Sequence, residues 1–250
     1  MSHCYRFFSN LINQASDEKQ ALWQISTTEL HHLTKVLRLK TGEVVEVFDG
    51  KGHWGKGQIT EITATEALVS TPSINHELQD KNSVGIAIGA LRNQSMNEVL
   101  PFLVELGVNE IHVFMQKNVA QYRISQSAQS RWQKIILSSL KQCKRNYLPC
   151  LHIWKDLSQM TSYLIKNFDH HLLLSPHAKN SMYSVILPDG KACAVIGGEK
   201  GLTVEEENIL LQASFKSVHT NNAILRSTTT AIVTSSFLTS KRSLPLKKCR

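Results

Sequence analysis

From residue 84 onward, short apolar runs alternate with longer segments of helical periodicity, and this alternation constrains the fold more than any other feature of the chain. Val84-Gly85-Ile86-Ala87-Ile88 is apolar at successive positions, as a strand buried on both faces must be. Ser95 with Glu98 three residues on reads as a capping box. The helix it opens carries Val99, Leu103 and Leu106 on one face, contains Pro101 and ends at Gly107. Strand 111–114, helix 127–143, strand 151–154, helix 156–167 and strand 171–174 follow. Strand 192–197, a helix over 203–213 with a second capping box at Thr203 and Glu206, strand 216–219 and helix 229–240 complete the series. Parallel strands need long crossovers, so the pattern predicts an α/β fold with a parallel sheet.

The first 75 residues have a different period. Strands are predicted at 44–48, 58–63 and 67–70, after a short helix from Glu29 to Leu39 with Leu30, Leu33, Val36 and Leu37 on one stripe. Gly50, Gly52 and Gly55 form a G-x-G-x-x-G. A dinucleotide site needs a helix straight after that motif, and here a β-branched strand follows, so a glycine-rich hairpin is predicted instead. Ser73 to Asn82 has few apolar residues and reads as a linker. The expected domains are a small barrel over 1–74 and an α/β domain over 75–250.

Charge is unevenly spread. The chain carries +8 overall, with 28 Lys+Arg against 20 Asp+Glu. Residues 1–80 hold 7 basic and 10 acidic side chains, whereas 81–160 hold 10 and 4. No acidic residue lies between Glu110 and Asp156, where Lys117, Arg123, Arg131, Lys134, Lys141, Lys144, Arg145 and Lys155 accumulate. On the helix around 127–145, Trp132, Ile135, Ile136, Leu140 and Cys143 cluster opposite Lys134, Lys141 and Arg145. Such a face suits a polyanion, through counterion release, or simply water.

Five scattered cysteines with no C-x-x-C make a disulfide framework and a zinc knuckle poor readings. His31-His32 and His170-His171 are adjacent pairs whose side chains diverge, so no metal site is expected from them. No apolar run approaches the ~18 residues of a membrane span, and the N-terminus lacks a signal-like segment, so a cytoplasmic setting is expected.

Ligands of a parallel sheet bind beyond the carboxyl ends of its strands. Two turns there carry chemistry. The first is Gly197-Gly198-Glu199-Lys200-Gly201, between strand and helix, where backbone can approach a ligand closely. The second runs from His219 to Ala231 with Arg226 as its only arginine or lysine, suited to an anion or to plain solvent.

These pieces together resemble a known family. His32-Leu33-Thr34-Lys35-Val36-Leu37-Arg38 before Phe48-Asp49-Gly50 looks like the N-terminal signature of the ribosomal RNA small subunit methyltransferase E family, in the SPOUT superfamily. Glu105-Leu106-Gly107-Val108, Gln142-Cys143 with Arg145-Asn146, Ile196-Gly197 with Glu199 and Gly201, and Leu225-Arg226 follow in the family's order. The resemblance implies a PUA-like barrel, then an α/β domain ending in a trefoil knot over about residues 172–240. It also implies a homodimer that binds S-adenosylmethionine and methylates uridine N3 in the 16S rRNA of the 30S subunit. Transferred to this chain, it puts the cofactor against Leu174, Ser175, Ile196, Gly197, Gly198, Glu199, Gly201, Thr220, Asn222, Ile224, Leu225 and Thr229. Arg226 is the first catalytic candidate and Arg92 the second; RNA would lie over Lys35, Arg38, Lys141, Lys144 and Arg145. The chain departs from the pattern at several places. The family's glycine-proline-glutamate-glycine-glycine loop has Gly198 and Lys200 here, its leucine-glycine-proline-arginine run is Thr220-Asn221-Asn222-Ala223, and Thr228 replaces a glutamate. Lys141 stands where a glutamate is expected, and Ser95 and Asn97 replace a lysine and a glutamate. A non-catalytic RNA-binding protein on the same scaffold and a ribose 2′-O-methyltransferase are the alternatives.

Overall fold

The computed structural model describes residues 4–13, 20–116 and 124–241, so Lys117, Arg123, Cys249 and the basic tail beyond Lys241 lie outside the described residues. By its contacts the chain forms two compact units, residues 1–79 with 140–148 and residues 80–139 with 149–250.

The first unit is a seven-stranded sheet built from β1 (Arg6–Phe8), β2 (Asn10–Asn13), β3 (Ala21–Ile25), β4 (Val44–Phe48), β5 (His53–Ile62), β6 (Ala67–Thr71) and β7 (Asn75–His76). Its order is β1-β4-β5-β6-β3-β2, with β7 on β5; β1 and β4 are parallel and every other pair is antiparallel. Alternate residues of β3 and β6 turn inward, the period-two pattern of a sheet with one buried face. Phe7, Trp23, Ile25, Val45, Val47, Ile59 and Val69 form the core, and the Trp23 indole N–H donates to Thr71 Oγ1 at 3.0 Å. The three glycines of the G-x-G-x-x-G lie in the β4–β5 hairpin, as expected. β5 begins earlier than predicted, inside the glycine stretch, because Gly57 packs directly against the Ser70 backbone. The expected linker contains β7, a short edge strand whose polar residues give no period-two signal.

The helix expected at 29–39 is α1 (Thr27–His31), continuing as a π turn over His32–Val36. Leu30 and Leu33 are buried, but the wider turn carries Val36 off the stripe and leaves it 58% exposed.

The second unit is a wholly parallel sheet. Its elements are β8 (Val84–Gly89), α2 (Asn93–Glu105), β9 (Glu110–Phe114), α3 (Gln126–Cys143), β10 (Cys150–Trp154), α4 (Leu157–Asn167) and β11 (His170–Leu174). β12 (Asn180–Ser181), a 3-10 turn (Met182–Ser184), β13 (Ala192–Ile196), α5 (Val204–Gln212), β14 (Lys216–His219) and α6 (Ser227–Ser240) follow. The strand order is β10-β9-β8-β13-β11-β14-β12. Every residue of β8 and β13 is buried, which requires helices on both faces. α6 packs on α2, β8 and β13, while Ala87 and Val195 join the core under α4 and α5.

The predicted alternation is therefore borne out. One helix start is not. α2 begins at Asn93 with Arg92 at the N-cap and no side-chain cap, so Ser95 caps nothing. The Ser95 hydroxyl instead donates to Glu199 Oε1 at 3.3 Å, a partner 104 residues away. The box at Thr203 and Glu206 is complete in both directions. Among the described residues no helix is long and apolar enough to cross a membrane.

Candidate functional site

β8, β13, β11 and β14 are consecutive neighbours in a parallel sheet, so the turns after their carboxyl ends converge. They enclose a cavity of about 790 Å³. Leu91 and Arg92 come from the β8 turn, Leu174 to His177 from the β11 turn and Gly197 to Leu202 from the β13 turn. His219 to Asn221, then Ala223 to Thr228, enter from β14 and the start of α6.

Of the predicted cofactor contacts, Leu174, Ser175, Ile196, Gly197, Gly198, Glu199, Gly201, Thr220, Ile224 and Leu225 line this cavity, as do Arg92 and Arg226. Asn222 and Thr229 are exposed and do not line it. The Asn222 N–H donates to the Asn221 side chain at 2.7 Å, closing a tight local turn that puts Asn221 and Ala223 on the cavity side. His177, Leu202, Glu207 and Ser227 also line it without having been predicted. His177 and Leu202 come from turn positions that follow no period, Glu207 from the first turn of α5 and Ser227 from the first position of α6.

The glycine turn folds on itself: Gly201 N–H donates to Gly198 O at 2.9 Å, and Gly201 sits at φ 72°, where glycine has no steric penalty. Ser227 Oγ donates to Gly198 O at 2.7 Å and so ties the second loop to the first.

The two arginines are in different states. Arg92 Nε lies 2.8 Å from Glu199 Oε2. Hydrogen bonds from Arg92, against a smaller effect of burial, hold the Glu199 carboxyl below the usual carboxylate range. Arg226 is exposed at the N-cap of α6, and among the described residues its side chain makes no hydrogen bond or ion pair. It lines the cavity beside the positive end of a helix.

The five basic residues predicted to touch RNA all fall in the first unit. Lys35, Arg38 and Lys144 are exposed. Lys141 Nζ is instead 2.9 Å from Glu29 Oε2, with both side chains mostly buried. Arg145 is half-buried, and burial lowers its pKa from the usual arginine value. Its carbonyl, with that of Leu140, accepts from the Arg6 guanidinium at 2.9 and 3.2 Å.

A second group of ligating side chains lies away from the cavity. Register pairs Glu110 with Cys150 and His112 with His152, and the ligand atoms of Glu110, His112 and His152 lie within 4.8 Å of one another. The Trp154 indole N–H donates to His112 Nδ1 at 3.1 Å. An indole N–H only donates, so Nδ1 carries the lone pair and Nε2 the proton. Nε2 then faces Glu110 Oε2 at 3.4 Å as a donor, the wrong tautomer for a metal ligand.

The RNA methyltransferase domain family matches residues 79–239, and the RNA methyltransferase PUA domain family matches residues 25–71. The chain thus belongs to the RNA methyltransferase family and carries an N-terminal PUA domain. The narrower resemblance is borne out as well. Ribosomal RNA small subunit methyltransferase E of Mesomycoplasma hyopneumoniae is 28% identical over 236 residues, covering 91% of this chain and 96% of its own. The Bacillus subtilis protein of that name is 24% identical over 240 residues, covering 90% and 91%. The crystal structure of that methyltransferase from Neisseria gonorrhoeae, bound to S-adenosyl methionine, superposes with a TM-score of 0.82 at 22% identity, covering 95% of this chain and 98% of its own.

Proposed function

We propose that this chain is an S-adenosylmethionine-dependent ribosomal RNA methyltransferase that modifies N3 of a uridine in 16S rRNA within the 30S subunit. The observation that carries the reading is the cavity beyond β8, β13, β11 and β14, lined by an arginine, Arg226, that forms no ion pair among the described residues. Its volume is within the range of ~300–1,000 Å³ that small-molecule sites occupy. The names of the relatives and the cofactor of the Neisseria structure point the same way. The cavity suits the cofactor's chemistry: backbone groups at Gly197 to Gly201 for its polar atoms and Leu174, Ile196 and Leu225 for apolar contact. β13 lies between β8 and β11 although it follows both in sequence, and α6 returns to pack on β8 and β13; both features support the expected knot.

Bound S-adenosylmethionine supplies an electrophilic methyl group on a sulfonium. Uracil N3–H is a weak acid. As N3 bonds to the methyl carbon and the sulfur–methyl bond breaks, the N3 proton leaves to a base and negative charge develops on the flanking uracil oxygens. Arg226 is suited to that charge because among the described residues it forms no ion pair, whereas Arg92 is held by Glu199.

The test is single-turnover methylation of 30S subunits with mapping of the modified base. Arg226→Ala is expected to lose about 10²–10³ in rate with little change in cofactor affinity, because the interaction strengthens mainly in the transition state. A full-rate Arg226→Ala protein would remove it from the chemistry. Product on a ribose 2′-oxygen would replace the N3 assignment. Absence of calorimetric binding by S-adenosylhomocysteine would favour a non-catalytic RNA-binding role.

A further inference from the structure

We propose that Gln116, which lies two residues past the end of β9, is a positioning residue that clamps the glycine turn of the cavity. Its side chain is 3% exposed and does not line the cavity. Oε1 accepts from Gly198 N–H at 2.9 Å. Nε2 donates to Gly201 O at 2.8 Å and to Glu206 Oε2 at 3.1 Å. One amide thus holds the two residues that close the turn, 198 and 201, and ties them to the carboxylate that caps α5.

The match is chemical as well as geometric. The three partners are one donor and two acceptors, and a primary amide offers one acceptor oxygen and an NH₂ with two donors. A carboxylate at 116 would face Gly201 O and the Glu206 carboxylate with no proton to give. The space is equally specific: a Cβ added at Gly89 or Gly198 would run into Gln116 Oε1. From the other side Ser227 Oγ bonds Gly198 O, so both polar atoms of residue 198 are fixed.

This bears on the departure at 198. A proline there has no N–H and a locked φ. Glycine frees the backbone and exposes a buried donor that needs a partner. In this chain Gln116 restores both constraints. The next residue is Glu199, whose carboxylate meets Arg92 and Ser95 at the cavity edge, so the clamp sets where that group sits.

The cofactor part of this inference rests on the function proposed above; the clamp itself does not. The experiment uses the full chain with Gln116→Ala, Gln116→Glu, Gly198→Ala and the Gln116→Ala/Gly198→Ala pair. It measures S-adenosylhomocysteine affinity by calorimetry, exchange of the Gly198 amide by NMR and thermal stability. Gln116→Ala is expected to weaken affinity by about tenfold or more and to speed Gly198 exchange, with RNA affinity unchanged. Gln116→Glu is expected to bind poorly at about pH 8 and to recover towards about pH 5, where a protonated carboxyl regains a donor. A purely structural glutamine would not produce that pH profile. Gly198→Ala is expected to be harmful alone and nearly neutral beside Gln116→Ala, because the obstructing oxygen is gone. Parental affinity and parental Gly198 exchange in folded Gln116→Ala and Gln116→Glu proteins would overturn the proposal. Should Gln116→Ala not fold, Gln116→Glu and Gly198→Ala decide it alone. If the parent binds no S-adenosylhomocysteine, the cofactor reading fails, and Gly198 exchange still reports whether the clamp exists.

Discussion

Glu110 gathers three polar side chains away from the cavity. It faces His112 Nε2 at 3.4 Å and His152 Nε2 at 3.5 Å, and accepts from Tyr163 Oη at 3.0 Å. Burial alone would raise its pKa, but these donors outweigh burial and hold the carboxyl well below the usual carboxylate range. Burial and then the neighbouring Glu110 raise the Tyr163 phenol to about 12, so it stays a donor. Burial depresses His112, in keeping with the neutral tautomer imposed by Trp154. His152 is the charged partner: the Cys150 sulfur and the Glu110 carboxylate favour its imidazolium and raise it to about 9. A histidine whose pKa is raised on folding stabilises fully below its unfolded value, ~6.5, and loses that stabilisation as pH climbs through the folded value. Denaturant unfolding should therefore show stability falling between about pH 6.5 and pH 9, by on the order of 2 kcal/mol after allowance for partial exposure. His152→Gln should remove that slope. A slope that survives the substitution would place its origin elsewhere.

At the scale of elements, the end of α3 and the α1–π segment show how a helical wheel can mislead. The wheel puts Lys141 on a basic, outward face, yet its ammonium is paired with Glu29 of α1. Lys141→Met should cost about 3 kcal/mol of stability, because it leaves a mostly buried carboxylate unpaired. The predicted RNA-contacting cations that are exposed are Lys35, Arg38 and Lys144, all in the first unit. If they grip RNA, Lys35→Glu with Lys144→Glu should weaken binding across sequences and reduce the slope of log affinity against log salt by about 2. An unchanged slope in a folded double variant would assign those residues to solvent. The same contrast explains what was legible in the sequence. Buried strands such as β8 and β13, the Thr203 box and the glycine turn have local signatures within a few residues. The partners that decide the site do not: Gln116 is 82 residues from Gly198, Ser95 is 104 from Glu199 and Lys141 is 112 from Glu29. Adjacent histidines drew attention to 31–32 and 170–171, whereas strand register brings together His112 and His152, which no local spacing connects.

For the whole molecule, α6 raises the question of what covers it. Ser227-Thr-Thr-Thr-Ala-Ile-Val-Thr-Ser-Ser-Phe-Leu-Thr-Ser240 contains no charged residue, its polar side chains being serine and threonine hydroxyls alone. Ala231, Thr234, Phe237 and Leu238 are buried within one chain, while Ile232 and Val233 remain partly exposed. Tyr183 meets the edge of Phe237 with ring centroids 5.5 Å apart and is still 58% exposed, and Ile186 nearby in sequence is 85% exposed. Partly exposed Ile232 and Val233 on α6, with exposed Tyr183 against it, are the kind of apolar surface that a self-complementary interface uses. A homodimer is thus the expected state in solution, and sedimentation should give twice the monomer mass of 28.1 kDa. Tyr183→Glu together with Ile186→Asp should shift that equilibrium to monomer without unfolding the chain, because both side chains are mostly exposed in the single protomer. If the parent sediments as a concentration-independent monomer, α6 is covered by something other than a second copy; if the variant stays dimeric, the interface lies on another face of the protein.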